Sequence, residues 1–193
     1  MGLKMENFYQ IAHSINVTPL VLAIKRRPEI WKADTFLRDY PQGPFGDCES
    51  IMLRFPPITV VQMESEILDA LSKVDQHENV DREEYKILHE ARPLIMALMT
   101  AVEGERLGRC IINKIKPGGR IYPHEDTPAH AEYYSRFHIV LQSEPGVVFI
   151  AGDEQVYMPT GTVWWFNNKL NHEVINNSAA ERWHLVVDIR TSR

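Results

Sequence analysis

The sequence predicts a mainly β protein, a double-stranded β-helix (jelly roll) core with an N-terminal helical region packed on its outside. Three observations carry this expectation. About eight short runs rich in β-branched and aromatic residues follow residue 104, turn signals separate them, and no helix-length segment intervenes. The last point argues against a parallel α/β sheet.

Along the chain, residues 1–104 read as a helical and mixed region and residues 105–193 as the β core, the two together forming a single domain, which suits a length of 193 residues. Leu20, Val21, Ala23 and Ile24 form one apolar helix face, ended by the Lys25–Pro28 basic run. The Pro- and Gly-rich stretch 40–46 is a loop, and Ser50–Phe55 a short strand stopped by Pro56 and Pro57. Residues Arg82–Val102 read as a helix, because Tyr85, Leu88, Ala91, Ile95, Leu98 and Val102 recur at steps of three and four; Pro93 is expected to kink or interrupt it. The expected strands are Arg109–Ile115, Arg120–Pro123, Phe137–Gln142, Val147–Ala151, Gln155–Met158, Thr162–Phe166, His172–Ile175 and Trp183–Ile189. Their number and spacing fit a cupin-like barrel.

Composition narrows the function classes. With 44% hydrophobic and 24% charged residues, the chain is not of the disordered type. No stretch reaches the roughly 18 apolar residues of a membrane helix, and Lys4, Glu6 and Asn7 occupy the place of a signal-peptide core. Cys48 and Cys110 cannot build a disulfide scaffold, which favours a reducing, cytoplasmic setting. A net charge of −5 argues against non-specific nucleic-acid binding. Five of the eight histidines fall between residues 124 and 184, and this clustering is the first sign of chemistry.

Within that cluster, His124 and Asp126 stand at i and i+2, so an extended backbone aims both to one side and Glu125 to the other. One imidazole and one carboxylate are two thirds of a facial triad, which holds Fe(II) on one side and leaves the opposite positions open. His172, opening a strand nearly fifty residues later, is the candidate third ligand. Arg182 precedes the apolar run Trp183–Ile189, so a buried cation is expected there. It would serve either a dicarboxylate cosubstrate, through a bidentate pair, or a salt bridge to Glu173 or Glu181. His184 shares the face of Arg182, and His130 sits in a loop with Ala and Pro neighbours; both read as ordinary. Tyr133 and Tyr134 read as aromatics beside a barrel mouth.

The segments Pro117-Gly-Gly-Arg-Ile-Tyr-Pro-His-Glu-Asp126, Arg136-Phe-His138, Trp165-Phe-Asn-Asn168, Asn171-His-Glu-Val174 and Arg182-Trp-His-Leu-Val-Val-Asp188 together resemble the aspartyl/asparaginyl β-hydroxylase family of Fe(II)/2-oxoglutarate oxygenases. The resemblance covers roughly residues 109–190. It implies an enzyme that uses Fe(II), 2-oxoglutarate and O2, with His124 and His172 as iron-binding histidines and Arg182 on the distal carboxylate of 2-oxoglutarate. It further implies His138 and Asn113 at the cosubstrate's metal-proximal carboxylate and Arg136 as a substrate contact. The animal enzymes carry Gly where this chain has Asp126, so the three-ligand set here is complete. The loop between Asp126 and Arg136 is also longer than in those enzymes and would border the open side of the iron. The implied substrate is an Asp/Asn-type side chain in a protein or peptide, or a free amino acid, with no nucleic-acid or membrane partner; oligomeric state stays open. Two other readings compete. One is a cupin-type metalloenzyme with the same ligands and no 2-oxoacid, the other a non-enzymatic jelly-roll binding module.

Overall fold

Alternation along the strands decides how the layers form. In the computed structural model, which describes residues 5–40, 43–57 and 77–192, nearly every position of the strand Arg182–Thr191 is buried, so both of its faces are covered. Trp183, Leu185, Val187 and Ile189 point outward into an apolar core. Arg182, His184, Val186 and Asp188, alternating with them, point inward.

The described residues form eleven strands: β1 (Phe8–Ala12), β2 (Cys48–Phe55), β3 (Val80–Asp81), β4 (Gly104–Ile115), β5 (Arg120–His124), β6 (Ser135–Gln142), β7 (Val147–Ala151), β8 (Glu154–Val156), β9 (Val163–Phe166), β10 (His172–Asn176) and β11 (Arg182–Thr191). They pair in a seven-stranded sheet of order β1-β9-β6-β11-β4-β2-β3 and a four-stranded sheet of order β5-β10-β7-β8. All pairings are antiparallel, as a jelly roll requires. Each of the eight strands expected after residue 104 is present, β4 and β11 being longer than their apolar runs.

The N-terminal region is only partly helical. It contributes β1, β2 and β3 to the large sheet, so residues on either side of 104 share one sheet. Its helix α1 (Thr18–Lys25) buries Leu20, Ala23 and Ile24 against the outer face. The Arg82–Val102 periodicity divides into two helices, Glu83–Ile87 and Ala91–Ala101, separated at Leu88. Pro93 causes no break: it lies in the first turn of the second helix, where a missing N–H leaves no bond unmade.

Between the sheets Phe8, Ile121, Val140, Phe149, Trp164, Phe166 and Val174 form a second apolar cluster. It fills one part of the barrel and leaves the rest to polar side chains. The turn from β10 into β11 is fixed by Asn176, fully buried, whose Nδ2 donates to the carbonyls of Ile115 and Ala180 at 3.0 and 2.9 Å. That anchor sets where Arg182 enters the sheet. No helix among the described residues is long and apolar enough to cross a membrane.

Candidate active site

β5 and β10 pair with His172 directly opposite His124, their ring centroids 4.3 Å apart. Asp126 follows β5 by two residues, and the ligand atoms of His124, Asp126 and His172 all lie within 4.8 Å of one another. Each histidine is held by its own strand: His124 Nδ1 donates to the Tyr122 carbonyl at 2.8 Å and His172 Nδ1 to the Leu170 carbonyl at 2.9 Å. That places the proton on Nδ1 and the free lone pair on Nε2, the form a metal requires. Burial lowers the pKa of both rings, His172 to about 4 with His124 adding to the effect, so both are neutral ligands at neutral pH.

The carboxylate is positioned as firmly. Burial alone would raise the pKa of Asp126, but the Arg136 guanidinium, with His172 and the Asn168 hydrogen bond adding to it, holds the carboxyl below its ordinary value and the group ionised. Arg136 Nη1 donates to Asp126 at 2.7 Å, and Asn168 Nδ2 donates to Asp126 Oδ2 at 3.2 Å. The other edge of Arg136 grips Asp188, Nε to Oδ1 at 2.8 Å and Nη2 to Oδ2 at 3.0 Å. His130 Nε2 donates to the same Asp188 at 2.7 Å. A continuous chain His130–Asp188–Arg136–Asp126 therefore runs from the short helix Pro128–Tyr133 to the candidate ligand. Arg136, to which the resemblance gives a substrate contact, has both edges engaged by carboxylates of its own chain.

Arg182 is in the opposite condition. It is 1% exposed, the largest fully buried side chain among the described residues. Its Nη2 donates to His184 Nδ1 at 2.8 Å, while Nε and Nη1 have no hydrogen-bond partner among the described residues. Neither glutamate offered by the sequence reaches it: Glu173 pairs with Arg120, and Glu181 accepts from Trp183 Nε1. Burial without an anion pulls the guanidinium down to about 9. Because His184 Nδ1 accepts from Arg182, the 3.2 Å contact between His138 Nδ1 and His184 Nδ1 needs the donor on His138. The His184 proton is then on Nε2, which is buried and unpartnered, as is His138 Nε2. His184 thus belongs to one buried cluster with Arg182 and His138, a placement its spacing from Arg182 hinted at and the sequence left unassigned.

Asn113 pairs with His184 across β4 and β11, and its Oδ1 accepts from the Ser50 hydroxyl at 2.8 Å. His138 packs edge-on against Phe149 and Phe166, at 5.2 and 5.3 Å, and Phe166 packs against His172 at 4.9 Å. The orphaned donors and the three metal-type ligands are therefore joined through one layer of aromatic rings. Tyr134 is buried, whereas Tyr133 is bonded through its hydroxyl to Arg106 and Arg190.

The donor set fits a divalent iron, since two neutral imidazoles and one carboxylate leave coordination positions open. Arg182 is a buried cation whose Nε and Nη1 lack the anion that would offset its desolvation. Fold and site together define a jelly-roll protein with a facial-triad ligand set and a buried arginine that lacks an anion. The aspartyl/asparaginyl β-hydroxylase family model matches residues 72–192, and the chain belongs to that family. Over 81 residues it is 27% identical to an L-proline cis-4-hydroxylase of Rhizobium meliloti (strain 1021), covering 42% of this chain and 29% of that protein. The chain thus matches less than a third of the length of that curated relative. The fold is shared with a prolyl-4-hydroxylase from Pseudomonas putida at a TM-score of 0.51 and 16% identity, over 97% of this chain and 94% of that one. A viral collagen prolyl hydroxylase from Paramecium Bursaria Chlorella virus-1 aligns at a TM-score of 0.51 and 13% identity, over 97% of both chains.

Proposed function

We propose that this protein is an Fe(II)- and 2-oxoglutarate-dependent dioxygenase that hydroxylates a C–H bond of an amino acid, free or as an Asp/Asn-type residue of a peptide or protein, releasing succinate and CO2. The observation that carries the proposal is the pairing of a His124/Asp126/His172 ligand set with a buried arginine whose Nε and Nη1 lack partners. Bound iron would activate O2, the oxidant: one oxygen atom enters the C–H bond and the other enters succinate, while the oxidative decarboxylation of 2-oxoglutarate supplies two of the four electrons O2 takes up.

The protein's own residues do the rest. His124, Asp126 and His172 hold the metal on one side. Arg182 receives the distal carboxylate of 2-oxoglutarate, and His184 keeps the guanidinium aimed. His138 and Asn113 border the other end of the same cosubstrate. Arg136 positions Asp126 through its bond at 2.7 Å, and Asp188 and His130 hold Arg136. Phe149 and Phe166 exclude water from the layer between His172 and His138.

The test is Fe(II)-dependent conversion of 2-oxoglutarate to succinate, coupled to a gain of one oxygen in amino-acid or peptide pools read by mass spectrometry. Addition of 2-oxoglutarate without oxygen should give the Fe(II) protein a visible charge-transfer band. Metal-replete protein that neither binds 2-oxoglutarate nor turns over with any amino-acid or peptide pool overturns the reading. Metal-dependent activity without 2-oxoglutarate would favour the other cupin-type chemistry.

A further inference from the structure

A cleft of about 240 Å³ opens beside His124 and Asp126. That is smaller than the roughly 300–1,000 Å³ of pockets that take drug-sized ligands, and it suits a single amino acid. Two arginines line it, Arg109 and Arg136. Arg136 is fully engaged by Asp126 and Asp188. Arg109 is not: its Nε is buried without a hydrogen-bond partner, and among the described residues its guanidinium makes no ion pair.

We propose that Arg109 selects the substrate by binding a carboxylate of the small acid to be hydroxylated; the inference rests on the hydroxylase reading above. The placement follows from period two along β4, which puts Arg109, Ile111 and Asn113 on the face that lines the cleft. Phe55 lies against one face of the guanidinium, its ring centroid 5.1 Å from Cζ, a contact that uses none of the N–H donors. A planar fork held this way matches a carboxylate in bidentate geometry. Asp188 lies near enough to favour the charge on Arg109, yet its oxygens are already taken by Arg136 and His130. Burial lowers the pKa of Arg109, and an incoming carboxylate reverses that cost. Phe45, Ile111 and Val186 supply apolar walls for the hydrocarbon between carboxylate and metal. The substrate class is a small molecule with a carboxylate at one end and a saturated carbon at the other, as in a free amino acid.

The experiment titrates the Fe(II)·2-oxoglutarate protein without oxygen against the twenty common L-amino acids and their carboxamides, by calorimetry, while the visible band is followed. The expected result is an amino acid that binds at least tenfold more tightly than its amide. Arg109→Gln abolishes that preference, and Arg109→Lys retains part of it. The band reports that each variant holds metal and 2-oxoglutarate and is therefore folded at the site. No 2-oxoglutarate band in the wild type overturns the hydroxylase reading itself. With the band present, three results overturn the role of Arg109 alone: equal binding of acid and amide, an Arg109→Gln protein that keeps the preference, or no amino acid binding.

Discussion

The two faces of the seven-stranded sheet are made from the same strands and behave differently. On β11 the outward residues Trp183, Leu185, Val187 and Ile189 are apolar and meet the helices. The inward residues include Arg182, His184 and Asp188, all buried. The outer face removes hydrocarbon from water and stabilises the fold. The inner face removes charge from water, which is costly unless each charge is matched. At one end the match is internal, Arg136 with Asp126 and Asp188. At the other it is missing, and the Nε and Nη1 of Arg182 have no partner among the described residues. A sheet can therefore hold stability on one side and binding on the other, one residue apart.

Substitutions on the two faces should separate these properties. The largest effect is expected for His172→Ala. Loss of a supporting partner of a metal ligand typically costs about 10–100-fold, so loss of the ligand itself should lower Fe(II)-dependent succinate formation by more than about 100-fold, with a thermal midpoint close to wild type. On the outer face Leu185→Ala should cost about 2–5 kcal/mol in urea unfolding, because Leu185 is 0% exposed and its removal leaves a cavity. The protein that remains folded should still bind 2-oxoglutarate. Arg182→Met should do the reverse, losing roughly 2–5 kcal/mol of 2-oxoglutarate affinity. The stability of its ligand-free form should be unchanged or raised, since an unmatched buried cation is removed.

The smallest effect per group is expected from mild acid on metal-free protein. Burial holds His124, His138, His172 and His184 below their ordinary value of 6.5, His172 at about 4. As pH falls through 6.5 the unfolded chain takes up protons that the folded chain refuses, so stability is complete above that pH and declines toward 4. Between pH 7 and 6 the loss should be below about 1 kcal/mol per histidine. Urea midpoints that stay level from pH 7.5 to 5 would show that these rings are not neutral and buried as described.

Much of the β core was legible because strand alternation and turn residues are local signals. The His124–Asp126 pair was legible from its i, i+2 spacing, although Asp126 lies two residues past the end of β5, and His172 and Arg182 from their places at strand starts. What stayed hidden depended on pairing across the chain. His184 gains its meaning from contact with Arg182 and His138, and His130 from Asp188, 58 residues away. Arg109 is distinguished only by the partners it lacks. On a strand covered on both faces, composition alone does not tell which residues look inward, and that choice separates Arg182 from Trp183. β1 was missed because its partner β9 lies more than 150 residues further along the chain.

The order of strands in the large sheet also bears on how the molecule is assembled. β11, last along the chain, lies at the middle, between β6 and β4. Until residues 182–191 are in place, the β1-β9-β6 half and the β4-β2-β3 half have no shared hydrogen bonds across the seam. Closure therefore joins distant parts of the sequence, a topology that folds slowly. The same strand carries Arg182 and His184, so a partly folded chain has no complete binding pocket. On the proposed function, uptake of 2-oxoglutarate would then serve as a signature that β11 has been inserted.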